Sequence, residues 1–423
     1  MSCPVNDGMP VLPCTTFGAE PALDNAEQNW MLKTLAVGNY RSLLDLTIPL
    51  DALNVITGPN GSGKSNVYRA LRLLAETATG GVIRSLAREG GLQSTFWAGP
   101  AEISKRMKSG EVAIQGTHKK DGPARMRLGF AGDDFSYAIS LGLPPPSHPD
   151  DPYPTAFAFD PEIKRECIWA GDSYRPASCL VDRNGPLIKA RSGRRWEVIA
   201  QHMPAFDSMY SHVGDPERTP EIVQLRETIR AWRFYDHFRT DGEAPARQAQ
   251  LGTRTPVLDN DGHDLAAALQ TIREIGDRAA LDEAVDDAFP GARLDVEVQE
   301  DNRFGIRFRQ EGLLRPLTGT ELSDGTLRYL LWIAALMTPR PPPLTVINEP
   351  ETSLHPDLLP ALGRLIVRAS GYGQIWVVSH SSRLISALEA HDGCNSIHLE
   401  KTLGQTEVVD QGLLDRPPWK WPD

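Results

Sequence analysis

Leu53-Asn54-Val55-Ile56-Thr57-Gly58-Pro59-Asn60-Gly61-Ser62-Gly63-Lys64-Ser65-Asn66 is the stretch whose reading decides the fold. LNVIT is a short apolar, β-branched run, the composition of a strand buried on both faces. After the glycines, Val67, Ala70, Leu71 and Leu74 recur at i, i+3, i+4 and i+7, one face of a helix. Between strand and helix, residues 58–65 match GxxxxGK[ST]. Glycines let backbone N–H groups converge on phosphate oxygens without Cβ clashes. The helix N-terminus adds free donors and partial positive charge. Lys64 is then placed for the β and γ phosphates, and the Ser65 hydroxyl for Mg²⁺. A chance glycine-rich turn is a poor alternative, because the motif and both flanks agree.

Such a loop needs a carboxylate on a neighbouring strand. Leu344–Pro356 (LTVINEPETSLHP) offers one. Its apolar strand ends in Asn348-Glu349, at the carboxyl edge where open α/β sheets bind ligands. Glu349 there suits a general base that polarises water in line with the γ-phosphate. Leu322-Ser323-Asp324-Gly325-Thr326 precedes an apolar helix. Alone, Ser323 is an ordinary N-cap. Beside a phosphate loop and a carboxylate strand, Ser323 and Gly325 read as a second phosphate clamp. His380 follows the strand QIWVVS (Gln374–Ser379). A lone histidine at a strand end is usually structural. Its place one strand beyond Glu349 suits a γ-phosphate sensor.

Outward from these motifs, LKTLAVGNYRSLLDLTIPL reads as two strands around Asn39–Ser42. From about Gly110 to Ile199, alternating runs broken by Gly, Pro and Asp predict an antiparallel β region, with Pro144–Pro154 as a loop or a lobe edge. Glu221 to about Ala288 reads as helical, and Leu294–Glu311 as a hairpin. The last third alternates helices with apolar strands, implying a parallel sheet with crossover helices. Residues 1–29 lack periodicity and read as a flexible extension. No internal repeat is visible.

The 423 residues predict two to three domains at ~150 residues each. Apolar residues make up 40% and charged residues 23%, enough for a large core. Lys+Arg is 44 and Asp+Glu 55, a net charge of −11, which argues against a generic charge-driven nucleic-acid coat. A local basic groove remains compatible with it. No apolar run approaches the roughly 18–20 residues that span a bilayer. No membrane association is therefore expected. The first thirty residues lack a signal-peptide pattern, so a cytoplasmic location is expected. Cys3, Cys14, Cys167, Cys179 and Cys394 show no zinc-ligand spacing. Cys167 and Cys179 can meet across two strands, and reduced, partly buried thiols are the expected state.

GPNGSGKSN, LSDGT, NEPETSLHP and VVSHS, in that order, resemble the ABC-type ATPase heads of the RecF- and SMC-like group. More narrowly, they resemble the bacterial RecF-like AAA-family ATPases, and NYRSLLDLTI resembles that group's opening strands. The resemblance covers about residues 30–100 and 315–385. It implies an α/β P-loop NTPase of ABC-head type: a mixed sheet, an antiparallel β region and an inserted helical lid. It divides the chain into the extension (1–29), the N-terminal part of the head (30–110), a β-rich lobe and lid (111–312) and the C-terminal part (313–423).

The same resemblance implies the chemistry. Residues Gly58 to Asn66 would bind ATP, with Ser65 and Asn348 at Mg²⁺. Lys64, Glu349 and His380 would carry hydrolysis, Glu349 as base and His380 as switch histidine. Ser323 and Gly325 would clamp the γ-phosphate bound to a second copy, so ATP would join two heads. Ser353-Leu354-His355 would fall at the turn crossing that interface, and Arg41, within Asn39–Ser42, near adenine or ribose. The group usually has Asp where Asn348 stands, which predicts weaker Mg²⁺ positioning and slow turnover. Its glutamine loop has two candidates, Gln93 and Gln115.

Three basic stretches, His118–Arg127, Ile188–Trp196 and Arg230–Arg239, suit DNA backbone. They equally suit solvated strand edges and salt-bridged helices. The leading expectation is a DNA-repair or genome-maintenance ATPase that dimerises on ATP, with duplex DNA or ends as partner. The rival is an ATP-gated sensor, for instance in phage defence, acting through a separate effector protein. No nuclease cluster follows His380, so DNA cutting is not expected. A kinase-like P-loop enzyme fits less well, because of LSDGT. The two tryptophans of RPPWKWPD (Arg416–Asp423) are expected to pack the chain end.

Overall fold

A computed structural model describes residues 30–100, 102–109, 111–113, 124–146, 155–412 and 414–422. The expected N-terminal extension, Cys3, Cys14, Gln115 and most of the first basic stretch lie outside these residues.

The chain opens with a hairpin, β1 (Leu32–Tyr40) and β2 (Leu43–Pro49), turning at Arg41-Ser42. β3 (Leu53–Thr57) follows, buried along its whole length, and leads into the helix Lys64–Thr77. Two short helices, Val82–Arg88 and Gly91–Thr95, come next. Six antiparallel strands then run in sequence: β4 (Arg125–Gly132), β5 (Phe135–Gly142), β6 (Glu162–Ala170), β7 (Cys179–Asn184), β8 (Leu187–Ser192) and β9 (Arg195–Ala200). They continue the opening hairpin into one eight-stranded sheet, ordered β2-β1-β4-β5-β6-β7-β8-β9.

The helix Pro220–Arg230 leads to β10 (Arg233–Tyr235). A small sheet is built from β11 (Gln250–Leu251), β12 (Arg293–Val298), β13 (Arg303–Arg309) and β14 (Leu317–Thr318). Between β11 and β12 run the helices Leu265–Ile275 and Arg278–Ala288. The helix Asp324–Leu336, β15 (Leu344–Asn348), the helix Leu359–Ser370, β16 (Gln374–Val378) and the helix Ser382–Glu389 follow. β17 (Cys394–Thr402) and β18 (Gln405–Val408) close the fold.

The six-stranded sheet, ordered β10-β15-β16-β3-β17-β18, holds the motif strands side by side. Its first five strands are parallel, and β18 returns antiparallel to β17. Alternate side chains feed two cores, as the period of two requires. Ile56, Val346, Trp376 and Val378 join the core shared with the phosphate-loop helix and the antiparallel sheet. Val55, Ile347, Ile375 and Val377 face the helices Asp324–Leu336 and Leu359–Ser370. The phosphate-loop helix is thus wedged between two sheets by Val67, Ala70, Leu71 and Leu74, all fully buried. Truncating the fully buried Ile56 to alanine would cost about 2–5 kcal/mol, and it would do so directly behind the loop.

Several expectations are realised here. LNVIT, PLTVI and QIWVV are parallel strands, the described strands between Arg125 and Ala200 are antiparallel, and Leu294–Glu311 is a hairpin. The helical reading of 221–288 holds for Pro220–Arg230, Leu265–Ile275 and Arg278–Ala288 but misses β10, which pairs with β15, and β11, which pairs with β13. β17 and β18 were not anticipated. Cys167 and Cys179 meet on adjacent strands with sulfurs 3.1 Å apart, both as free thiols. Trp419 and Trp421 pack beside them, Trp419 against Trp169. Among the described residues no helix is long and apolar enough to cross a membrane.

Candidate functional site

The loop between β3 and its helix is shaped by glycines that cannot be replaced. Gly58 has φ 137°, and a Cβ there would stand 2.2 Å from the Leu399 carbonyl of β17. Gly63 has φ 110°, and its Cβ would meet Thr406 Oγ1 at 2.1 Å. Gly63 caps the helix without a side-chain bond, which leaves the first turn's amides uncapped by any side chain. Lys64 folds back over the loop, its Nζ donating to Gly58 O at 2.5 Å and Pro59 O at 3.0 Å. Burial lowers the Lys64 pKa, partly offset by the Glu349 carboxylate. Ser62 Oγ is buried without a partner among the described residues. A buried orphan hydroxyl is rare.

A cleft of about 420 Å³ is lined by Asn60, Gly61, Gly63, Lys64, Ser65, Asn66, Glu349, His380 and Lys401. The strand order explains this gathering, because β15, β16, β3 and β17 all end at one edge. Glu349 sits just past β15 with φ 49°, its N–H bonded to Val378 O at 2.8 Å. That backbone turn aims the carboxylate at His380, with Oε1 3.2 Å from Nε2. A neighbouring cleft of about 520 Å³ shares Ser65 and Glu349 and adds Asn348, Tyr68, Arg69, Arg72, Glu89, Asp236, His237 and Thr352.

Ser323 and Gly325 line neither of these clefts. Ser323 is the N-cap of the helix Asp324–Leu336, its Oγ accepting from Thr326 N at 3.1 Å. The buried Arg247 pins this helix tip. It donates to Leu322 O at 2.6 Å, to Gly319 O at 3.2 Å and to Asp324 Oδ1 at 2.5 Å. Arg328, on the same helix, donates to Thr352 O at 2.8 Å and so couples the tip to the turn after Glu349. Gly325 itself lies against that turn, where a Cβ would be 3.4 Å from Ser353 O.

Comparison with protein families finds a match over residues 53–171 and 199–386 to the family described as "AAA domain, putative AbiEii toxin, Type IV TA system". The chain belongs to this AAA-domain family. The reading of the motifs as an AAA-family ATPase is thereby borne out. A curated relative of the family member is the OLD nuclease of Thermus scotoductus, 50% identical over 44 residues. That match spans 10% of this chain and only 8% of the nuclease. Among solved structures, an Smc head bound to the C-winged helix domain of ScpA matches at 14% identity. It covers 90% of this chain and 97% of that chain, with a TM-score of 0.46. The SMC head domain from Thermotoga maritima matches at 14% identity, 90% and 98% coverage and a TM-score of 0.41.

In this AAA-domain protein several residues beside the loop had no sequence signal of their own. Glu351 Oε1 accepts from Ser379 Oγ at 2.8 Å, His380 N at 2.7 Å and Ser381 N at 3.0 Å. It fixes the backbone that carries His380. Thr406 Oγ1 bonds Ser42 Oγ at 2.6 Å and Ser62 O at 2.7 Å, while Asn66 Nδ2 donates to Ser42 Oγ at 2.8 Å. This chain ties β18 and the β1–β2 turn to the phosphate loop. Arg41, expected near the base, is held by Glu89 at 2.8 Å, and Glu89 lines the second cleft. Gln93 is exposed on its short helix and lines neither cleft.

Proposed function

We propose that this protein hydrolyses ATP between two copies of itself, each supplying half of every site. The supporting observation is the split geometry: Lys64, Ser65, Glu349 and His380 share one cleft, and Ser323 and Gly325 stand outside it. The donor set fits the substrate. An uncapped helix start and a desolvated Lys64 suit a polyphosphate. Ser65 and Asn348 would hold Mg²⁺, which would neutralise phosphate charge when bound. Glu349 takes the proton of the attacking water, and His380, its Nε2 3.2 Å from Oε1, orients the carboxylate. The Ser323–Gly325 tip of the second copy closes over the γ-phosphate. Sizing chromatography of the Glu349→Gln variant with ATP tests this: a dimer is expected, and a monomer with ATP bound contradicts it.

The work such a dimer does is proposed as DNA repair or genome maintenance. The exposed Arg194-Arg195 pair at the β8–β9 turn, with no ion-pair partner among the described residues, supports a DNA contact. The name of the short-matching relative, OLD nuclease, points toward nucleic acid. The second reading is an ATP-gated sensor that signals to a separate effector protein. It is favoured by the third basic stretch, where Arg230 pairs with Glu227 and Arg239 with Asp241. DNA that strongly stimulates ATP turnover supports the first reading, and indifference to DNA supports the second.

A further inference from the structure

The cation site implied above is short of negative charge. Ser65 and Asn348 offer only neutral oxygens, and the Glu349 carboxylate faces His380, 3.2 Å away. Mg²⁺ in nucleotide sites is normally held through one or two carboxylates besides the phosphates. The sheet supplies a candidate that no motif marks. β10 pairs with β15 in parallel register: Arg233 with Thr345, Phe234 with Val346, Tyr235 with Ile347. One residue further, that register sets Asp236 beside Asn348, one strand spacing of about 4.8 Å away. Paired residues on parallel strands present side chains to the same face. Asp236 and Asn348 do line the same cleft, together with Ser65.

We propose that Asp236 is the carboxylate of the metal site, doing from β10 what the neutral Asn348 cannot do from β15. The assignment rests on the nucleotide reading above and names a residue for it. Asp236 is held in place from the helix of the phosphate loop. It forms an ion pair with Arg72 and accepts from the Tyr68 hydroxyl. Ser65, Tyr68, Arg69 and Arg72 lie at i, i+3, i+4 and i+7, so one helix face carries both the metal's hydroxyl and the clamp on the carboxylate. An ionised carboxylate has about four lone-pair sites, so these two partners leave acceptor capacity for a cation. Asp236 is also 40% exposed, facing the open cleft. Glu89, the other carboxylate there, spends Oε2 on Arg41 and Tyr40. It follows the helix Val82–Arg88 and is not on the sheet's carboxyl edge.

The test measures affinity for a fluorescent ATP analogue in EDTA and at saturating Mg²⁺, with bound Mn²⁺ followed by electron paramagnetic resonance. Asp236→Asn should cut the metal-dependent gain in affinity at least about tenfold. Its affinity in EDTA should stay within about twofold of wild type, since the phosphate loop is intact. Adding Asn348→Asp to Asp236→Asn should restore most of the gain and the Mn²⁺ signal. An Asp236→Asn variant with the wild-type metal gain overturns the proposal. So does an equal loss in EDTA, because Asp236 would then act only as the anchor of Arg72. A double variant that regains no metal response also overturns it. A wild-type chain that binds no nucleotide in either buffer would sink the underlying reading, and this assignment with it.

Discussion

Replacing Glu351 by alanine removes the acceptor that holds the loop carrying His380. Its Oε1 takes three hydrogen bonds, from Ser379 Oγ, His380 N and Ser381 N, at 2.7 to 3.0 Å. Bonds to a charged acceptor contribute roughly 1.5–3 kcal/mol each. Water can replace part of them at this half-buried position, so the net loss is about 2 kcal/mol and not the sum. That corresponds to about a 30-fold fall in the ratio of ordered to disordered loop. Turnover at saturating ATP should drop, by up to that factor. Nucleotide affinity should hold within about twofold, because Lys64, Ser65 and the loop glycines stay in place. Glu351→Gln keeps an oxygen at the same point without the charge, and charged acceptors are roughly twice as strong. Its turnover should fall only about 3–10-fold, between alanine and wild type. Phosphate release and binding of a fluorescent ATP analogue read the two quantities separately. An alanine variant with wild-type turnover would refute Glu351 as the residue that positions His380. So would equal losses of binding and turnover.

Three further outcomes are expected. Lys64→Ala should abolish nucleotide binding or hydrolysis in equilibrium binding and phosphate-release assays, and full retention would discredit the phosphate-loop assignment. Thr406→Val keeps shape but strands Ser42 Oγ and Ser62 O, so thermal unfolding should show about 1–3 kcal/mol of destabilisation. An unchanged melting temperature would show that β18 does not brace the loop. Neutralising Arg194 and Arg195 together should reduce the salt slope of DNA binding by about 1–2 units. An unchanged slope would remove that turn from the DNA contact.

The parallel core was legible because strands buried on both faces are continuous apolar runs. β3, Leu53–Thr57, and β15, Leu344–Asn348, are of this kind. β10 was hidden for the opposite reason. Arg233-Phe234-Tyr235 is too short to show a period, and its strand character comes from pairing with β15. β17 alternates Ile397 and Leu399 with exposed Ser396, His398 and Glu400, a weaker pattern than the strands beside it. The motif residues were visible because their chemistry is local in sequence. Thr406 and Asp236 were not, because their partners are far away: Ser42 and Thr406 are separated by 364 positions. Only the sheet order brings such groups to one edge. The exposure of Arg194 and Arg195 fits both readings of their basic stretch, whereas the use of Arg247 as an internal staple carries no sequence signal.

A mixing experiment tests the shared site most directly. Lys64→Ala leaves the Ser323–Gly325 tip intact, and Ser323→Arg leaves the phosphate loop intact. Each variant alone should be inactive. In a two-fold dimer formed by random mixing, half the dimers are mixed and each has one complete site, so about a quarter of wild-type turnover should return. A mixture as inactive as its components, with mixed dimers shown to form, would contradict a nucleotide held between two copies.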